Sequence, residues 1–302
     1  MSAPLRVATR GSALARTQTS SVVDALGTMG VAAQEMVIET TGDVRSDVPI
    51  HSLGGVGVFV KEIEEALLDG RADVAVHSAK DLPSELPDGL VIAAVPERAD
   101  PRDALVGSTL DDLVAGARVG TGSVRRRSQL ASARPDLTFG DLRGNIGTRL
   151  DKAADFDAVV VAAAALDRLD RADAAVERLD PDLLLPQVGQ GALALECRAD
   201  DADTRAALAP LDRADVHTLV RAERAFLAEL GGGCTLPVGA LAEPARDGVL
   251  LRALLASLDG HIVLRTECSG DDPEDVGITA AGELLHQGGA RVLEDAGLGV
   301  PE

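Results

Sequence analysis

No feature of this chain narrows its fold more than an alternation in its first half. Short Val/Ala/Leu-rich runs give way, again and again, to amphipathic stretches. Leu5-Arg6-Val7-Ala8-Thr9 reads as a strand and leads into a helix from about Ser12, whose hydroxyl suits an N-cap. Met36-Val37-Ile38 reads as a second strand. From Phe59 to Leu68 the apolar residues Phe59, Ile63, Ala66 and Leu67 share one helical face. Asp73-Val74-Ala75-Val76 is a buried-type strand that ends at His77-Ser78-Ala79-Lys80-Asp81. This order predicts an α/β fold with a mainly parallel sheet, carrying its ligand groups at the carboxyl ends of the strands.

A second αβ series runs from about Pro101 to Pro186, with a helix over Val124 to Ala133 and a strand at Asp157-Ala158-Val159-Val160-Val161. Val188-Gly189-Gln190-Gly191 reads as a crossover back to the first domain, followed by a strand over Ala192 to Glu196. A long helix is expected from Thr218 to Leu230, then strands over Val249 to Leu255 and His261 to Glu267. A helix from Asp275 to about Gln287 completes a small α+β domain. The expected division is therefore 1–95 with 191–210, then 96–190, then 211–302. At 302 residues such a chain has room for two or three domains. No internal repeat of fixed period stands out.

The formal net charge of −20 argues against general affinity for phosphate backbones or anionic lipid. Absence of Trp and Tyr removes the usual platforms for stacking nucleic-acid bases. No apolar run approaches the roughly 20 residues of a bilayer span, and Met1 to Arg10 lacks the apolar stretch of a signal peptide. These readings predict a cytoplasmic protein with neither nucleic-acid nor membrane partners. Cys197, Cys234 and Cys268 are distant from one another and form no CxxC pair, so neither a disulfide framework nor a metal site is expected.

Against that acidic background lies a positive island. Between Arg118 and Lys152 there are eight basic residues and three acids, a local net charge of +5. A charge run of this kind is commonly a solvated helix face. Two details favour a ligand site instead. Gly120-Thr121-Gly122-Ser123 opens the helix bearing Arg125, Arg126 and Arg127, so free N–H groups should face whatever binds there. Arg143-Gly144-Asn145-Ile146-Gly147-Thr148-Arg149 sets arginines beside glycines at a second strand-to-helix turn. Guanidinium forks bind carboxylate or phosphate in pairs of hydrogen bonds, so the island suits a ligand with many acidic groups. Arg10-Gly11-Ser12 and Lys80-Asp81, at the ends of first-domain strands, are expected at the same crevice. Asp81 is either a cap or salt-bridge partner, or an ionised carboxylate able to hold N–H donors and steady positive charge on a ring.

Gly231-Gly232-Gly233-Cys234-Thr235-Leu236-Pro237 follows the long helix. One glycine past a helix is an ordinary C-cap, but three in a row suggest an open loop with an accessible thiol at its tip. Nucleophile, redox sensor and attachment point all remain open for Cys234 at this level. Cys197 and Cys268 lie in strand-like runs and read as small buried hydrophobes.

Taken in order, these stretches resemble the porphobilinogen deaminase family. The resemblance is carried by Arg6 to Ser12, Thr41-Gly42-Asp43, Phe59 to Glu62, Arg71 to Pro83 and Gly120 to Arg126. It continues through Leu142 to Arg149, Val188 to Gly191, Ala222 to Ala225 and Gly232-Gly233-Cys234. It implies two domains resembling periplasmic binding proteins plus a small C-terminal domain. It also implies a monomeric transferase that condenses four porphobilinogen molecules, releases ammonia at each step and hydrolyses off hydroxymethylbilane. A dipyrromethane cofactor would be joined by a thioether to Cys234. Asp81 maps to the catalytic aspartate. Ser12, Lys80, Asp81, Thr121, Ser123, Arg125, Arg126, Arg143 and Gly144 map to cofactor binding, and Arg10, Ser12, Arg149 and Arg168 to substrate binding. Val56 and Ser52 stand where relatives carry lysine, in a segment expected to flank the cleft. Two other readings compete. A solute-binding protein would need neither Cys234 nor Asp81 and would usually carry an export signal. A phosphate-ligand enzyme would need a Walker-type Gly-Lys-Ser/Thr and an acidic metal pair, which this sequence lacks.

Overall fold

A computed structural model describes residues 3–40, 60–232 and 236–298. In chain order the strands are β1 (Leu5–Arg10), β2 (Ala33–Ile38), β3 (Val74–Ser78) and β4 (Leu90–Ala94). There follow β5 (Asp103–Val106), β6 (Arg118–Gly120), β7 (Thr138–Gly140), β8 (Ala158–Ala162), β9 (Glu177–Arg178) and β10 (Leu193–Arg198). The last three are β11 (Val238–Ala245), β12 (Gly248–Ala256) and β13 (Val263–Gly270). The helices that matter here are α1 (Ala13–Thr28), α2 (Lys61–Leu68), α3 (Val124–Ala133), α4 (Ile146–Asp151) and α5 (Ala163–Arg168). After them come α6 (Ala202–Leu208), α7 (Ala214–Glu229), α8 (Pro273–Leu284) and α9 (Ala290–Asp295). Two compact units result, Met1–Ala99 with Ala192–His217, and Asp100–Gly191 with Thr218–Glu302.

In the first unit the sheet order is β2-β1-β3-β10-β4. β1 runs parallel to β2 and β3, whereas β10 is antiparallel to both β3 and β4. Side chains alternate across the sheet, so each strand feeds two cores. Val7, Val74, Val76, Leu195 and Cys197 meet Val22 and Leu26 of α1 and Leu208 of α6 on one face. Ala8, Ala75 and Leu90 meet Ile63, Ala66 and Leu67 of α2 on the other. The expected helical face at 63, 66 and 67 is thus the buried one. The expected mainly parallel sheet forms, with the return strand β10 as its single antiparallel member.

The second unit holds a sheet of the same layout, β7-β6-β8-β5-β9, in which β6 is parallel to β7 and β8 while β5 is antiparallel to β8 and β9. The antiparallel strand is the last to arrive in the first sheet and the first in the second. Leu105, Val119, Leu130, Val160 and Leu184 lie in its core. The same unit contains an antiparallel β11-β12-β13 sheet, against which α7, α8 and α9 bury Phe226, Val276, Leu284 and Leu293. These layers are the expected α/β and α+β architectures.

Boundaries shift where periodicity is weak. α7 begins at Ala214, four residues before the expected start, because Ala214 and Asp215 lengthen the helix without adding to its apolar stripe. The last expected strand runs from Val263 to Gly270 rather than from His261 to Glu267, and β11 was not anticipated. α8 ends at Leu284; a wide turn over Leu285–Gly289 follows, in which Gly288 takes φ 106°. No described helix is long and apolar enough to cross a membrane.

Candidate functional site

In the first unit the site residues stand at strand ends. Arg10 closes β1, and Ser12 caps α1 by accepting the Ala15 N–H at 3.3 Å. β3 runs directly into a tight turn, Ala79–Asp81, that carries Lys80 and Asp81. The turn is fixed by Ala79, whose N–H donates to Ala192 O at 3.0 Å, and by Ser78, whose Oγ accepts from Gln18 Nε2 at 3.0 Å. Arg10 Nη1 lies 4.0 Å from Asp81 Oδ2, and both side chains are partly exposed. The strand-end expectation for Arg10, Ser12, Lys80 and Asp81 holds within this unit.

In the second unit the island divides into different jobs. Thr121 is buried, and its Oγ1 accepts the Ser123 N–H at 3.2 Å. Ser123 then caps α3 by accepting the Arg126 N–H at 3.4 Å. Arg125 and Arg126 are buried rather than displayed, and both converge on Asp103 at the start of β5, itself 0% exposed. Arg126 donates from Nε (3.0 Å) and Nη2 (2.7 Å) to Asp103 Oδ1, and from Nη1 to Val160 O at 3.0 Å. Arg125 donates from Nη1 to Leu185 O at 2.7 Å. Its Nη2 lies 2.8 Å from Asp103 Oδ2 in an ion contact whose angles make no hydrogen bond. The Arg125 Nε has no partner among the described residues. Gln190 Nε2 completes the group, donating to Asp103 Oδ1 at 2.9 Å and to Pro101 O at 2.7 Å. Burial alone would raise the Asp103 carboxyl; the two guanidiniums outweigh it and hold the acid well below the usual carboxylate range. Burial likewise pulls Arg125 below its ordinary value, against the pull of Asp103.

A second turn places Gly144 at φ 109°, where an added Cβ would meet the Thr148 side chain at 2.7 Å, so glycine is required. Asn145 caps α4 there, and Arg149 donates from Nε to Gly144 O at 2.8 Å. Arg143 is half-buried beside it. Arg168 ends α5 and donates from Nη2 to Gly191 O at 2.7 Å; burial lowers its guanidinium. Two other cations of the island have local partners: Arg134 binds Asp136, Leu110 O and Leu113 O, and Arg118 lies over the Phe156 ring at 4.7 Å.

The approach to the cysteine is partly described. Gly231 and Gly232 take φ 79° and 61°, and their N–H groups donate to Ala228 O and Leu227 O at 2.9 Å. Two of the three glycines therefore terminate α7, where one had been expected. Cys234 lies outside the described residues, as do Ser52 and Val56. Cys197 and Cys268 are buried as expected, and burial pushes the Cys197 thiol up to about 11. A small cavity adjoins Arg125, lined also by Ser123, Gln187, Val188, Leu227, Leu236 and Val238. Asp103 was missed from sequence. Its signal was an acid opening the apolar run Ala104-Leu105-Val106 ahead of the positive stretch from Arg118 to Lys152.

Residues 5–206 match the family model described as porphobilinogen deaminase, dipyromethane cofactor binding domain, and residues 217–286 match the porphobilinogen deaminase C-terminal domain. A porphobilinogen deaminase from Roseiflexus sp. (strain RS-1) is 50% identical over 301 residues, covering 97% of this chain and 99% of its own. One from Syntrophus aciditrophicus (strain SB) is 47% identical, covering 98% and 100%. A solved ABC-transporter periplasmic substrate-binding protein from Coxiella burnetii aligns with 68% of this chain and 91% of its own, at 13% identity and a TM-score of 0.43.

Proposed function

The chain belongs to the porphobilinogen deaminase family, and from that premise we propose how its own residues share the work. Its activity is that of a transferase: four porphobilinogen molecules are condensed head to tail with loss of ammonia, and linear hydroxymethylbilane is released by hydrolysis. The dipyrromethane cofactor of the family supplies the free pyrrole carbon on which the product grows.

The donors of this chain suit such a group. Each pyrrole bears acetate and propionate arms, and the second unit offers a buried cluster of two arginines to one aspartate, with the Arg125 Nε unpartnered among the described residues. A carboxylate supplies both the missing acceptor and the missing negative charge. Thr121, Ser123, Arg125, Arg126, Arg143 and Gly144, with Ser12, Lys80 and Asp81 of the first unit, are the residues assigned to hold the cofactor. Arg10, Ser12, Arg149 and Arg168 are assigned to the incoming substrate. Cys234 is the anchor, bonded through sulfur and not consumed in the cycle.

Asp81 is the residue assigned to the chemistry, and the observation that carries it is its place in the turn ending β3, with Arg10 at 4.0 Å. As ammonia leaves, positive charge spreads over the substrate's pyrrole ring. A fixed carboxylate accepting the ring N–H stabilises that charge more than it stabilises the neutral substrate, which is the condition for lowering the barrier. Lys80 and the arginines meanwhile hold the acidic arms and so fix the ring's orientation.

The larger unit is read as two domains, 96–190 and 211–302, with 1–95 and 191–210 forming the first. The enzyme is read as a cytoplasmic monomer acting on a small molecule, without nucleic-acid or membrane partners. Replacement of Asp81 tests the assignment of the chemistry. Asp81→Ala should lower kcat on the order of 10²–10³-fold, the range seen when one group stabilising transition-state charge is removed. Asp81→Glu should retain part of the activity. An Ala variant that turns over at the parent rate removes Asp81 from the mechanism.

A further inference from the structure

We propose that Asp103, a residue with no role in the scheme above, is the positioning residue for the Arg125–Arg126 pair. It fixes both guanidiniums in one place and leaves the cluster one positive charge in excess. The inference rests on the assignment of those arginines to the cofactor.

The geometry is that of a clamp. Asp103 opens β5, the strand that runs antiparallel to both its neighbours, where the backbone is held on both sides by β8 and β9. Its Oδ1 takes two donors of Arg126 and one of Gln190, and its Oδ2 faces Arg125. Each arginine is then held from behind by a carbonyl, Val160 O for Arg126 and Leu185 O for Arg125. Leu185 is in turn clasped by Gln129, which accepts its N–H at 2.8 Å and donates to its carbonyl at 3.0 Å. Two guanidiniums on successive residues of one helix repel each other, and burial removes the water that would screen them. A single buried carboxylate between them offsets that repulsion. It neutralises only one, so an acidic ligand group meets a preset cation rather than a cation already paired.

Gln190 extends the clamp. It lies in the Val188–Gly191 crossover, where Gly189 and Gly191 take φ 72° and 87°. The Gly189 N–H donates to the buried Glu223 carboxylate at 2.7 Å, and Glu223 also accepts the Ala242 N–H at 2.9 Å. One end of the crossover is thus pinned to α7 and β11, and the other to Asp103.

The test is a double-mutant cycle read by cofactor content and by kcat and KM for porphobilinogen. Asp103→Asn, which keeps the shape and removes the charge, should lower cofactor content or the kcat of the loaded enzyme by about tenfold or more, with KM for the substrate little changed. If Asp103 acts through Arg126, the double variant Asp103→Asn/Arg126→Ala should be no worse than Arg126→Ala alone. That double variant carries the parent's net charge in the cluster, so it also serves if the single Asn variant fails to fold. Additive losses, with the double variant worse than Arg126→Ala by the full factor lost in Asp103→Asn, would overturn the positioning role, and so would an Asp103→Asn enzyme with parental loading and kcat. Arg126→Ala with unchanged cofactor content and kinetics would instead sink the underlying assignment of the arginines. The two failures are therefore distinct.

Discussion

Glu64 shows what a single buried acid contributes and when. It lies on α2 at 7% exposure, on the sheet face that also carries His77 and Glu196. His77 Nε2 and Glu196 Oε2 are 3.1 Å apart, at 4% and 0% exposure. Arg6, Asp73 and Arg198 of the same sheet are tied to one another, and Arg10 faces Asp81. Burial, then the Glu196 charge, push the Glu64 carboxyl up to about 7, with His77 opposing. The folded state therefore keeps a proton that the unfolded chain gives up near its ordinary value of 4.5. The resulting stability is complete below that value and is lost as pH rises through about 7. Denaturant titrations of the parent should thus show stability falling between those two pH values. Glu64→Gln should flatten that slope, and an unchanged slope would assign it to another group. At this scale the sequence was readable where partners are local. Ser12 and Ser123 cap the helices they precede, and Cys197 is buried in its strand. It was silent where partners are remote: Asp103 is 22 and 23 residues from its arginines and 87 from Gln190, and no periodicity marks such pairs. Burial of Arg125 and Arg126 was equally hidden, because the same sequence describes a solvated face.

Helices and strands were legible wherever an apolar stripe had a fixed period, as at 63, 66 and 67 of α2 or along Val74–Ser78. β11 escaped because Glu243 and Pro244 interrupt its alternation; its place is set by pairing with β12 along its whole length. Close approach between elements was hidden too. α8 crosses α7 at Gly277, where an added Cβ would lie 2.6 Å from Phe226 N and closer still to Ala222 O. Backbone cannot yield as a side-chain tip can. Gly277→Ala should therefore force the helices apart and cost about 2–4 kcal/mol, more than Ala's better helix propensity returns. Thermal unfolding checks this, and an Ala variant as stable as the parent would contradict the contact. The site glycine Gly144 was visible in sequence for a similar reason, since it stands between an arginine and a capping asparagine at a turn.

For the whole molecule, the order of αβ segments indicated the sheets, and the return through Val188–Gly191 was foreseen, because a glycine-rich link followed by an apolar run has few other uses. The common layout of the two five-stranded sheets was not foreseen. One takes its antiparallel strand from the end of the path and the other from its beginning, so the likeness exists in pairing order and leaves no repeat in the sequence. The charge balance of the whole also acquires a meaning. In an acidic chain of net charge −20, a buried +2/−1 cluster is a local exception at a defined place. In the proposed scheme the product grows on a dipyrromethane bonded to Cys234. Intact mass of the purified full chain, beside Cys234→Ser from the same pyrrole-competent host, tests it most directly. The parent should carry the added mass of two pyrrole units and the Ser variant none; an unmodified parent, or an equally modified variant, would contradict the account.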